Sequence, residues 1–184
     1  FKTVTSIASR SLNDCPKRII VSGLSKNFGL AGLRIGYIIA PDELTYQKIL
    51  DVSKHHSTAF GLSGIAQVAG TAALLESTFW LDEFLIHLEK MRGLTIAFID
   101  KMDCFSSVSP NATYLAFPQL ISSERSSEQW VKDILNKSQV ALVPGGKNWF
   151  EESSEGHIRI CYATSEGILT EAFERMLPVK NEFI

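Results

Sequence analysis

The chain has 184 residues, 45% of them hydrophobic and 21% charged, which is enough apolar matter to bury a core in one large domain or two small ones and too much for a disordered chain. Its 18 basic and 20 acidic side chains leave a formal charge of −2, so no positive field draws nucleic acid or an anionic membrane surface. Three well-separated cysteines, Cys15, Cys104 and Cys161, form neither a disulfide framework nor a Cys-x-x-Cys pair, which fits a reducing cytoplasm.

Phe1 to Arg10 lack the charged start and long apolar stretch of a secretory signal, and no apolar run approaches the roughly 20 residues that span a bilayer. The chain therefore reads as soluble. It opens without methionine directly into a β-like stretch, Lys2 to Ala8, and an upstream segment is expected. Arg18–Val21 and Ile35–Ala40 read as two buried strands around a glycine-punctuated loop. Asp42 can cap a helix that runs through Leu44, Ile49, Leu50 and Val52 and ends before a turn region at Ser57–Ser63. Ile65–Glu76 is small and apolar on almost every side, as an interior helix would be.

From Ser77 or Thr78, Leu81, Phe84, Leu85, Leu88, Met91, Leu94, Phe98 and Met102 recur every three or four residues, which predicts one long helix able to tie two domains together. Beyond it Thr113–Phe117, Val140–Val143 and His157–Ala163 read as strands, and Ser127–Ser138 and Ser165–Leu177 as helices, a second and smaller α/β unit. Ser122–Ser127 and Glu151–Gly156 read as surface connectors.

Between Ile19 and Ala40 the only formal charges are Lys26 and Arg34, set among Gly23, Gly29, Gly32 and Gly36. Burying two cations without an anion is costly, so a carboxylate from elsewhere or a ligand must answer them. Glycines let backbone N–H groups approach a phosphate, and an arginine grips one with a planar fork. A lysine taken out of water beside a second cation gives up its proton and attacks carbonyls, which is Schiff-base chemistry. The residues alone leave open the plainer alternative, in which Lys26 reaches the surface and Arg34 pairs with a distant carboxylate.

Other motifs fail on spacing. The loop glycines do not follow Gly-x-Gly-x-x-Gly, and Pro144-Gly145-Gly146-Lys147 lacks the earlier glycine and the following hydroxyl of a P-loop. His55 and His56 are neighbours that would point about 100° apart on a helix with no third ligand close by, and so read as a helix end. His87 and His157 read as surface or satisfied histidines. Gly61-Leu62-Ser63-Gly64 is not a nucleophile elbow. Trp80, Trp130 and Trp149 read as packing residues.

The run from Ser22 to Tyr37, Ser-Gly-Leu-Ser-Lys-Asn-Phe-Gly-Leu-Ala-Gly-Leu-Arg-Ile-Gly-Tyr, resembles the pyridoxal-phosphate attachment motif of class I/II aminotransferases, which have the type I pyridoxal-phosphate fold. The resemblance implies that Lys26 forms the Schiff base with the cofactor and shuttles the proton between the substrate α-carbon and the cofactor. It also implies that Arg34 binds the phosphate. Where the family often has serine or glycine three residues before the lysine, this chain has Gly23; Ser25, and less readily Ser22, would then supply a phosphate hydroxyl.

The resemblance continues through Val140–Gly145 and His157–Thr164, and by position it makes Arg159 the arginine that holds the substrate α-carboxylate. Alternation fits, with Ile158, Ile160 and Tyr162 on one strand face and His157, Arg159 and Cys161 on the other. A guanidinium fork holds both carboxylate oxygens and fixes the Cα–H bond against the cofactor plane. Lys147, Asn148 and Trp149, after the Pro144–Gly146 turn, stand where they would touch a substrate side chain.

The family resemblance implies an α/β fold. Residues 1–76 would be the end of the large pyridoxal-phosphate domain, with a mixed sheet and flanking helices, and residues 77–184 a small C-terminal domain, linked by the long helix with the hinge along it. It further implies transfer of an amino group between an amino acid and a 2-oxo acid, a homodimer when full length, and no metal. A lyase of the aminocyclopropane-carboxylate-synthase type resembles the same motifs, and a non-catalytic protein retaining the fold is the remaining alternative. The family's aspartate for the pyridine nitrogen, its stacking aromatic, and its asparagine and tyrosine for the 3′ oxygen would all lie before Phe1, so these 184 residues alone are expected to be inactive.

Overall fold

A computed structural model of the chain describes residues 18–55, 57, 61–121 and 125–178. The β-like stretch at Lys2–Ala8, Cys15, His56 and parts of the Ser57–Ser63 and Ser122–Ser127 segments lie outside these residues. The chain divides into two compact units, and the division falls between Phe84 and Leu85, inside the longest helix. Among the described residues no helix is long and apolar enough to cross a membrane.

The first unit is built on an antiparallel hairpin, β1 (Ile20–Gly23) with β2 (Gly36–Ile39), in the register Ile20↔Ile39 to Gly23↔Gly36. A short helix, α1 (Leu24–Asn27), and a single 3-10 turn at Ala31–Leu33 form its connection. Two helices follow. In α2 (Glu43–Ser53) the expected Asp42 cap is present, its carboxylate accepting from the Thr45 N–H at 2.7 Å; Lys54 closes the helix and His55 begins the turn after it. In α3 (Gly64–Glu76) Ser63 caps the first turn by accepting from Ala66 N–H.

The core of this unit is small: Leu24 and Ile35, from the two ends of the hairpin connection, pack on Ala66 and Ala73 of α3, with Phe28, Leu30 and Leu33 around them. Gly70 also faces this core, where a Cβ would meet Ile35 at 3.4 Å and Leu24 at 3.5 Å, ordinary contact distances. Burial is where the sequence reading needs correction. All of β2 and most of α3 are exposed in this chain, with Val21, Ile65 and Val68 about three-quarters accessible. Within these residues a two-stranded hairpin and one helix packed on its connection can cover only one face of each other.

The second unit contains the rest of the long helix, α4 (Thr78–Ile99), then short strands β3 (Phe105–Ser106), β4 (Leu115–Ala116) and β5 (Gln119–Leu120), helix α5 (Ser127–Ser138), β6 (Val143–Pro144), β7 (Ile158–Cys161) and helix α6 (Glu166–Met176). One antiparallel sheet has the order β4-β7-β6, and β3 pairs with β5. The strands β3 and β5 are too short to leave a period-two signal, and the sequence reading lacks them. The long helix stops at Ile99 rather than Met102, because Lys101 and Met102 donate to carbonyls three residues back and tighten the last turn. Met102 still reaches the core, at 1% exposure.

Ser126 and Gln129 form a reciprocal capping box at the start of α5, whose Trp130, Val131 and Ile134 face inward. Trp130 meets Phe105, which meets Phe98, which stacks on Phe173 of α6 with ring centroids 4.1 Å apart. His87 is satisfied by the Thr164 carbonyl at 2.8 Å. Trp130 is a packing residue as expected, and Trp80 stacks on Phe28 and Phe84, whereas Trp149 is 60% exposed.

The connector Glu151–Gly156 has a structural task beyond joining strands. Glu155 accepts from the Ser127 backbone N–H at 2.7 Å, and Ser127 Oγ accepts in turn from Gly156 N–H at 2.8 Å. The Ser127 N–H holds the Glu155 carboxyl below its ordinary 4.5, against the opposing effect of partial burial. A depressed carboxylate contributes stability that is present above its unfolded value and is lost as pH falls through its folded value. Thermal melts from about pH 7 down to about pH 3 should therefore show less acid-induced loss in Glu155→Gln than in the parent, with the two curves converging below the ordinary carboxylate range.

Candidate active site

Lys26 sits in α1 with its side chain exposed, at the tip of the β1–β2 hairpin. The connection is closed by Leu24 N–H donating to Ile35 O at 3.2 Å, and Leu30 N–H also returns to Leu24 O. Arg34 stands at the other end of the same connection, exposed, with φ 54° in the left-handed region. For a residue with a Cβ that conformation costs about 1 kcal/mol, and it sets the direction in which the guanidinium leaves the chain. No side-chain hydrogen bond or ion pair of Arg34 is formed among the described residues.

Ser22 lies in β1 opposite Tyr37, and Ser25 precedes Lys26 in α1; both are half-buried. Between them Gly23 is demanded by space: a Cβ there would lie 2.7 Å from the Ile35 carbonyl oxygen. A serine at this position would push the strands apart. Lys26, Arg34, Ser22 and Ser25 thus share one hairpin, and the donor set of a primary amine and a guanidinium with no carboxylate between Ile19 and Ala40 suits a phosphorylated aldehyde.

Arg159 belongs to the second unit, on β7. Ile158, Ile160 and Tyr162 are buried on one face at 0%, 3% and 0%, so Arg159 projects from the other with His157 and Cys161, as the alternation requires. It is half-buried; its Nε is buried without a hydrogen bond, and its Cζ lies over the Phe150 ring, 5.7 Å from the centroid. Phe150 meets Phe117 edge-on, and Phe117 stacks on His157. The sequence reading stopped one residue short of this contact at Lys147–Trp149. Asn148 instead bonds Glu128 Oε1 at 2.7 Å, and this ties the turn to α5.

The turn that carries Phe150 is held from both sides. Gly145 N–H donates to His157 O at 2.7 Å, Gly146 N–H to Ser154 Oγ at 2.7 Å, and Phe150 N–H to Gly146 O at 2.9 Å. A spacing rule about P-loops had no way to register this. The signal in the sequence is the paired glycine itself, since Gly146 has φ 96° and Gly145 has no room for a side chain.

The model of aminotransferase class I and II matches residues 3–176. The chain belongs to that family. Among its relatives, the aspartate aminotransferase of Pyrococcus horikoshii is 29% identical over 161 residues, which cover 86% of this chain and 40% of that protein. A cystathionine beta-lyase of Bacillus subtilis is 28% identical over 173 residues, 94% of this chain and 44% of that one. A PLP-bound structure from Clostridium difficile 630 superposes with a TM-score of 0.76 and 28% identity, covering 89% of this chain and 42% of that chain. The chain spans about two fifths of the length of the curated relatives it matches. The fold is that of pyridoxal-phosphate aminotransferases, and pyridoxal phosphate is the cofactor that goes with the family.

Proposed function

We propose that the full-length protein is an aminotransferase that moves an amino group between an amino acid and a 2-oxo acid, with Lys26 as its covalent anchor for pyridoxal phosphate. The observation that carries this reading is the pair Lys26 and Arg34 on one hairpin connection free of carboxylates, in a chain of this family. Bound there, the cofactor supplies an aldehyde for the amine and a ring that withdraws electrons from the substrate α-carbon. Lys26 would hold the cofactor aldehyde through Nζ and would carry the proton taken from the substrate α-carbon. Arg34 grips the phosphate, with Ser25 and Ser22 as supporting hydroxyls, and Arg159 binds the α-carboxylate.

The division of the chain within α4 supports a large-domain segment at 1–76 and a small domain at 77–184, with the hinge along the helix. In the complete protein we place this site in a cytoplasmic homodimer; the scattered positions of Cys15, Cys104 and Cys161, with no Cys-x-x-Cys pair, agree with a reducing compartment. The cystathionine beta-lyase relative supports a second reading, elimination from the same lysine. Incubating the full-length protein with amino acids and 2-oxoglutarate decides between them: glutamate formation supports transfer, and ammonia with pyruvate and no glutamate supports elimination.

Arg34 allows fold and function to be separated. Arg34→Gly relieves the left-handed backbone and should leave stability unchanged or raise it by up to about 1 kcal/mol. Loss of charge-assisted bonds to the phosphate should weaken cofactor binding by roughly ten- to a hundredfold. Melting curves and cofactor titration on the same variant check both.

A further inference from the structure

Arg159 has no carboxylate partner among the described residues, and its buried Nε has no hydrogen bond. What lies against its guanidinium is the Phe150 ring, 5.7 Å away. That ring is supported from behind: Phe117 meets it at 5.3 Å, and His157, on the same strand face as Arg159, stacks on Phe117 at 5.1 Å with the planes 13° apart. Gly145 and Gly146 fix the turn bearing Phe150 to the carbonyl of His157 and the hydroxyl of Ser154.

A ring face attracts a cation through its quadrupole without accepting the N–H bonds that a carboxylate would take. A salt bridge at this place would occupy the fork and compete with any anionic ligand. An aromatic ring orients the guanidinium and leaves its terminal nitrogens available. We propose that Phe150, backed by Phe117 and His157, is the positioning residue that holds Arg159 ready for a substrate carboxylate, in the place where a counter-ion would otherwise stand. The inference rests on the reading of Arg159 as the carboxylate-binding residue.

The test uses the full-length enzyme with its cofactor and measures KM and kcat for the amino-acid donor in Phe150→Leu, Phe150→Tyr, Arg159→Leu and the double variant Phe150→Leu/Arg159→Leu. Phe150→Leu should raise KM roughly five- to thirtyfold with kcat held within about twofold, and Phe150→Tyr, which keeps the ring, should restore KM to within about twofold. In the Arg159→Leu background the Phe150 substitution should add nothing, because its effect passes through the arginine. Should Phe150→Leu fail to fold, Phe117→Leu takes its place with a smaller rise in KM. An unchanged KM in Phe150→Leu beside a raised one in Arg159→Leu overturns this inference alone, as does a Phe150 effect that persists undiminished in the Arg159→Leu background. An unchanged KM in Arg159→Leu overturns the reading of Arg159 and this inference with it.

Discussion

Lys26→Ala in the full-length protein is expected to abolish the visible absorbance of covalently held cofactor and to lower kcat/KM by about four orders of magnitude or more. The size of the effect follows from the lack of a substitute. Between Ile19 and Ala40 the only other cation is Arg34, and a guanidinium stays protonated and does not attack an aldehyde. Lys26→Arg is the sharper variant, since it keeps the charge that attracts a phosphate and removes the nucleophile. It should retain weak, non-covalent cofactor binding and share the loss of activity. Absorbance that survives in Lys26→Ala would mean that another amine is the anchor.

The second large effect is one of stability. Gly145→Ala should cost at least about 3 kcal/mol, because the added Cβ would lie 2.0 Å from the Ser154 carbonyl oxygen and 2.8 Å from that of His157. Both neighbours are backbone, so no side chain can rotate away. The same carbonyl of His157 accepts the Gly145 N–H at 2.7 Å, and relieving the clash means giving up the bond that holds the turn to β7. A melting temperature lowered by several degrees, with a raised KM from the displaced Phe150, is the expected pair of observations. A variant as stable as the parent would show that the turn tolerates a side chain and is not clamped.

Much of this was legible in the residues. The aspartate cap at Asp42 accepts the expected backbone N–H, because capping is local chemistry, and Ser63, Ser126 and Ser165, which the sequence reading did not single out, cap their helices in the same way. Period-two alternation placed Arg159 correctly on the open face of β7, since three buried neighbours fix that strand's orientation. Burial in the first unit was not legible. Val21, Ile38 and Ile39 read as core and are exposed in this chain, which spans about two fifths of its relatives' length, because burial depends on which surfaces meet. The Phe150–Arg159 contact depends on a turn pinned by residues eight to twelve positions away, a folding-back that no short motif encodes. Gly23 carried its meaning only in three dimensions: it looked like a missing hydroxyl and is a place where a side chain has no room.

The central claim is that Lys26 is the covalent anchor, and the most direct measurement is chemical. Borohydride reduction of the full-length protein saturated with pyridoxal phosphate fixes the cofactor to whichever amine holds it, and peptide mass mapping then locates it. A phosphopyridoxyl group is expected on the peptide containing Lys26 and on no other in stoichiometric amount. The label on a different lysine, or no label after reduction, would contradict it.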